Sequence, residues 1–195
     1  MKTNFGRYSP MNNQQQHTIT LHGVFLDIFG LGVLLTGASG IGKSEIALGL
    51  ISRGHRLIAD DSIEFFIDES GEVIGCCPEM LKDFLEVRGL GILNIRAMFG
   101  DSSVKENVPI QLVANLTRIE DLEIKGTDRL HGLHTTFNIL GKAISQVVIP
   151  VGPGRNLSVL LETAVRNHRL RTSGYDASED FVERQKQYMN REELS

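Results

Sequence analysis

The run Gly37-Ala38-Ser39-Gly40-Ile41-Gly42-Lys43-Ser44 has the spacing G-x-x-x-x-G-K-[ST]. That pattern suits the holding of a polyanion. Glycines admit the backbone angles that turn successive N–H groups toward phosphate oxygens. A helix starting directly after the loop adds its positive end. Lys43 is placed to reach the β- and γ-phosphates of a nucleoside triphosphate, and the Ser44 hydroxyl to ligate Mg²⁺. The rival account is an ordinary glycine-rich turn. The flanks speak against it: the apolar strand Val33-Leu34-Leu35-Thr36 precedes the loop, and a helix from Lys43 to about Ser52 follows. Ile46, Ala47, Leu50 and Ile51 fall on one side of that helix.

A second cluster of chemistry is acidic. Asp60 and Asp61 end the apolar strand Arg56-Leu57-Ile58-Ala59, at the sheet edge where open α/β folds bind ligands. Two tasks suit carboxylates there: holding Mg²⁺, or taking a proton from an attacking hydroxyl. A solvated turn before Ser62 is the bland alternative. As strand neighbours the two aspartates point opposite ways, so only one faces a given site. His22, in Leu21-His22-Gly23, is not selected by spacing, since a lone histidine is more often a core or surface residue than a catalyst. His131 and His134 lack a third metal ligand at suitable spacing and read as loop histidines. The stretch Glu86-Val87-Arg88-Gly89-Leu90-Gly91-Ile92 reads either as a shaped loop closing over a ligand or as a structural turn. Pro150-Val151-Gly152-Pro153-Gly154-Arg155-Asn156 is a glycine-proline loop feeding a helix. The macrodipole disfavours a cation at a helix start, so anion binding accounts better for Arg155.

These groups need a scaffold. A chain of 195 residues suits one domain with a real core. Residues 1–17 read as a mobile polar tail, and residues 18–195 as the domain. Thr18–Leu21 and Val24–Phe29 read as paired strands, and Gly30-Leu31-Gly32 turns into the strand before the glycine loop. Strand, helix, strand predicts a right-handed parallel crossover. A hairpin about Glu69-Ser70-Gly71 follows, then a loop-rich stretch from Pro78 to Gly100 and a strand from Pro109 to Leu116. A second hairpin turns at Gly141-Lys142, a helix covers Asn156–Arg171, and a charged helix starts near Ser178. The whole is a three-layer α/β domain with a mixed sheet. With 20 Lys and Arg against 24 Asp and Glu, the formal charge is -4, which argues against a nucleic-acid-coating surface. No apolar run is long enough to cross a bilayer and the start lacks a signal-peptide core, so the expected compartment is the cytoplasm. The neighbouring Cys76 and Cys77 read as reduced, buried thiols.

Together these runs resemble the HPr kinase/phosphorylase family, from Leu21 to about Tyr175. The resemblance is carried by Leu21-His22-Gly23, Gly37 to Ser44, Arg53-Gly54-His55-Arg56-Leu57-Ile58-Ala59-Asp60-Asp61, Leu85 to Asn94, Asp128-Arg129-Leu130 and Gly154-Arg155-Asn156-Leu157. It implies an ATP- and Mg²⁺-dependent kinase of a serine on the phosphocarrier HPr. It also implies dephosphorylation by inorganic phosphate, releasing pyrophosphate, and a hexameric assembly. Asp61 is implied as the proton acceptor, with His22, Lys43 and Arg129 around the transferred group and Ser44 and Glu86 on Mg²⁺. Leu85, Glu86, Val87, Arg88, Gly89, Leu90, Gly91, Ile92, Leu93 and Asn94 are implied to shape both reactions. Pro150, Val151, Gly152, Pro153, Gly154 and Arg155 are implied to serve dephosphorylation. Many members carry an N-terminal domain where only the polar tail precedes Thr18 here. Gly152 stands where Lys or Arg is expected.

Two rival readings differ in class. A small-molecule P-loop kinase would want an arginine-rich lid, and the arginines here are scattered. A non-catalytic nucleotide-sensing module would leave Asp61 and Arg129 dispensable. A GTPase is excluded by the absence of Asn-Lys-x-Asp.

Overall fold

The computed structural model describes residues 17–122 and 132–192. The expected tail, apart from His17, lies outside the described residues, and so do Arg129 and His131. The chain enters through β1 (Ile19–Ile28), turns at Phe29-Gly30 into β2 (Leu31–Gly37), and passes through the glycine loop into α1 (Lys43–Ile51). β3 (Arg56–Ile67) and β4 (Val73–Cys76) form a hairpin about Gly71. A separate hairpin joins β5 (Phe84–Val87) to β6 (Gly91–Asn94) and leads into the short helix α2 (Ile95–Phe99). β7 (Asn107–Arg118), β8 (His134–Ile139), β9 (Lys142–Val151), α3 (Leu157–Thr172) and α4 (Ala177–Glu192) follow.

Three expectations about the strands change. β1 is one strand rather than two, because β3 pairs with it from Ile19 to Asp27 and spans the His22-Gly23 step. β3 does not end at Asp60-Asp61 but runs on to Ile67. The stretch after Pro78 is not mainly loop, since it holds the β5–β6 hairpin and α2.

The main sheet is mixed, in the order β2-β1-β3-β4-β7-β9-β8. β2 and β3 run parallel with β1 antiparallel between them, so the crossover through α1 skips one strand. β2 also pairs in parallel with β7, which closes β2-β1-β3-β4-β7 into a ring. Two cores follow from strand alternation. Val24, Leu26, Val33 and Leu35 face α1 and α3, where Ile46, Ala47, Leu50, Leu161 and Val165 meet them. Phe25, Leu34, Ile63, Phe65 and Val113 face the other way, into the ring. Among the described residues no helix covers that second cluster, so the second helical layer expected from the sequence is not seen. Bulges at β1–β3 and β2–β7 reset the alternation partway along β3 and β7.

Helix α3 is fastened to the turn after α1 by Glu162. Its carboxylate accepts from Arg53 Nε (2.9 Å) and Nη2 (2.6 Å), and pairs with Nε2 of the buried His55 at 2.8 Å. The Arg53 guanidinium, helped by His55, holds Glu162 down to about 2 against an ordinary value of 4.5. A carboxylate depressed in the fold stabilises it above its unfolded value and loses that contribution as pH falls through the folded one. Glu162→Gln is therefore expected to lower stability at neutral pH by roughly 1.5 to 3 kcal/mol. In denaturant melts the gap between variant and wild type should close as the pH is taken from 7 toward 2.

Candidate active site

The glycine loop is built at the end of a strand held on both flanks. β1 and β7 pair with β2, and Gly37 lies opposite Leu116. Gly37 has φ 135°, and a Cβ there would sit 2.5 Å from the Leu116 carbonyl oxygen. Gly37→Ala should therefore displace the loop, costing about 1 to 3 kcal/mol of stability and most nucleotide affinity. Melts and nucleotide titration check both losses. At the other end Gly42, at φ 100°, is the N-cap of α1 and offers no side-chain cap. The first N–H groups of α1 are left for an anion. Lys43 Nζ lies back across the loop, donating to the carbonyls of Gly37 (3.0 Å) and Ala38 (3.2 Å). Ile41 is buried and anchors the loop in the core.

A cavity of about 200 Å³ opens over this loop. Ser39, Gly40, Gly42, Lys43 and Ser44 form one wall, Asp60 and Asp61 another, and Glu86 and Arg88 a third. Gly23 and Glu45, not selected from the sequence, complete it. Both aspartates line the same cavity, against the alternation argument. The physical reason is local: Asp61 has φ 63°, in the left-handed region. That twist turns its side chain away from the interior that takes Ala59 and Ile63, and leaves it 82% exposed. Aspartate is among the few side chains that tolerate such a backbone. His22 Nδ1 lies 2.9 Å from the Asp61 carbonyl oxygen and 3.5 Å from Oδ1. The histidine thus meets the site through Asp61, at its rim.

Asp60 is half-buried, and its Oδ2 accepts the Glu86 N–H at 2.8 Å. Burial pushes its carboxyl up, and the nearby carboxylates of Asp61 and Glu86 add to the rise. In the β5–β6 hairpin, Leu85 and Val87 are buried while Glu86 and Arg88 project to the cavity. Leu93 packs against the core, Asn94 caps α2 through Ala97 N (2.8 Å), and Gly89, Leu90, Gly91 and Ile92 form an exposed tip. The Pro150–Arg155 loop is not a wall of this cavity. Arg155 Nη1 donates to the Pro150 carbonyl at 2.9 Å, and Gly154 and Arg155 line a neighbouring depression that shares Glu45.

Among the described residues no group of three His, Cys, Asp or Glu side chains is placed to hold a metal ion. Mg²⁺ needs no such cluster, since it binds through one or two carboxylates together with substrate phosphates and water. Ser44 and Glu86, both oxygen donors in the cavity wall, fit such a hard cation.

Residues 13–185 match the family described as HPr Serine kinase C-terminal domain. An HPr kinase/phosphorylase of Chromobacterium violaceum is 47% identical over 173 residues, covering 89% of this chain and 54% of its own length. One of Neisseria meningitidis is 53% identical over 163 residues, covering 84% and 51%. The chain thus spans about half the length of the curated relatives it matches. The solved Hpr(Ser) kinase/phosphatase of Coxiella burnetii superposes with a TM-score of 0.76 at 40% identity, over 84% of this chain and 98% of that one. No described helix is long and apolar enough to cross a membrane. Since the match takes in the glycine loop, both aspartates and the hairpin above them, the chain belongs to the HPr serine kinase C-terminal domain family.

Proposed function

We propose that this chain transfers the γ-phosphoryl group of ATP to a serine of an HPr-type phosphocarrier protein, and removes it again with inorganic phosphate. The observation that carries this reading is the single cavity joining the glycine loop to Asp61, Glu86 and Arg88. The N–H groups of Gly37 to Ser44 cradle the phosphates, and Lys43 exchanges its loop carbonyls for the β- and γ-oxygens. Mg²⁺, held by Ser44 and Glu86, supplies charge neutralisation for the triphosphate when bound. Asp61 takes the serine proton as Oγ attacks the γ-phosphorus and the bond to ADP breaks. His22, bonded to the Asp61 carbonyl oxygen and 3.5 Å from its carboxylate, orients Asp61, and Arg129 completes the surround of the transferred group.

In the reverse direction a phosphate oxygen attacks phosphoserine. A new P–O bond makes pyrophosphate, the bond from phosphorus to the serine oxygen breaks, and Asp61 returns the proton to that oxygen. The Pro150–Arg155 loop beside the cavity serves this step, with Arg155 and the start of α3 supplying positive potential. The assembly is a hexamer and the compartment the cytoplasm, as the family resemblance implies.

The test supplies γ-labelled ATP and Mg²⁺ with an HPr-type phosphocarrier and its serine-to-alanine variant. Label should appear on the serine protein alone and leave as pyrophosphate when phosphate is added. Labelling of the serine-free variant, or of neither protein, overturns the reading.

A further inference from the structure

We propose that Arg88 is a further phosphoryl-binding residue of this cavity, carried over the glycine loop by the β5–β6 hairpin and held there by Asp60. The proposal rests on the nucleotide reading above and assigns one more ligand to the terminal phosphate.

Three observations carry it. A Cβ placed on Gly40 would lie 3.2 Å from both Nη1 and Nη2 of Arg88, so the guanidinium rests against the middle of the glycine loop. Among the described residues this guanidinium has no hydrogen bond or ion pair, although Asp60, Asp61 and Glu86 share its cavity. Three other arginines of the fold are paired: Arg53 with Glu162, Arg56 with Asp27, and Arg96 with Asp83 and Asp101. A planar guanidinium with its donors free and facing a phosphate loop matches the geometry of phosphate oxygens. Lys43 stands in the same cavity on the helix side. Between them the two cations can meet negative charge spread over the equatorial oxygens of the moving group.

The hairpin's position is itself fixed. Leu85 and Val87 are buried beneath it, and Asp60 Oδ2 accepts from the Glu86 backbone N–H at 2.8 Å. Strand alternation then sends Arg88 out on the same side as Glu86. Asp60 acts on the phosphate through the hairpin, as a positioning residue. This gives the adjacent aspartates separate tasks.

The experiment compares ATP and ADP affinity, with Mg²⁺, in the wild-type chain, Arg88→Met and Arg88→Lys, alongside transfer to the phosphocarrier. Arg88→Met should weaken ATP about 10- to 100-fold and leave ADP nearly unchanged, because only ATP offers the terminal group. Transfer should fall by roughly 10² or more, with Arg88→Lys between the two. Asp60→Ala should reproduce the ATP-selective loss. Asp60→Asn should recover at least about 10-fold of it, since its amide oxygen can still accept from Glu86. Equal losses for ATP and ADP, or unchanged ATP binding in Arg88→Met, overturn the role of Arg88. An Asp60→Asn protein no better than Asp60→Ala overturns the positioning role and makes the carboxylate charge itself the requirement. A wild-type chain that binds neither nucleotide overturns the nucleotide reading beneath both.

Discussion

Lys43→Ala is expected to abolish phosphoryl transfer and to weaken ATP binding. In the ground state the variant loses a charge-assisted contact to the triphosphate worth roughly 1.5 to 3 kcal/mol. In the transition state it loses a donor aimed at developing charge, for which about 10² to 10³ in rate is typical, before any misplacement of the phosphate is counted. The fold should survive, because Lys43 bonds only to the Gly37 and Ala38 carbonyls of its own loop. A melt should therefore match wild type within about 0.5 kcal/mol, as for substitutions away from the core. Wild-type turnover in the variant, purified free of other kinases, would remove Lys43 from the site. Ser44→Ala provides the companion measurement and should raise the Mg²⁺ concentration needed for half-maximal rate.

Asp61→Asn carries the other large effect. Loss of a general base costs about 10² to 10⁴ in rate, while ATP affinity should change little. The left-handed backbone at Asp61 makes asparagine the proper probe. Asparagine also tolerates that conformation, so the substitution removes the base without straining β3. Alanine would mix lost chemistry with strain of order 1 to 3 kcal/mol. Single-turnover transfer at saturating ATP is the measurement. A larger loss in Asp60→Asn than in Asp61→Asn would exchange the roles of the two carboxylates.

Contiguous features were the legible ones. The glycine loop, its strand and its helix lie within one short stretch, and the buried residues of α1 are the four expected from helical spacing. Asp61 was legible by position but not by direction. Alternation assumes extended backbone, and one residue at φ 63° breaks it. The β5–β6 hairpin hides in a stretch that reads as loop-rich, because each strand has only four residues and the glycines at 89 and 91 look like punctuation. Ring closure through β2 and β7 was not legible at all. It pairs Gly32 with Ile110, a contact that no local pattern encodes. The same holds for Arg88: the sequence placed it in a site-shaping stretch, but its seat against Gly40 depends on how the hairpin docks.

Ring closure also bears on unwanted pairing between strands of different molecules. A strand with one side unpaired is a template for another chain, and open sheets must guard two of them. Here β2, which would otherwise be a terminal strand, is sealed against β7. Among the described residues β8 is left as the main sheet's one strand with a single neighbour. Its sequence, His134-Thr135-Thr136-Phe137-Asn138-Ile139, is polar at most exposed positions. Such an edge offers little apolar surface to an incoming strand. In the main sheet, resistance to edge-to-edge pairing thus rests on a short polar strand, and the strand before the glycine loop is kept out of reach of stray pairing.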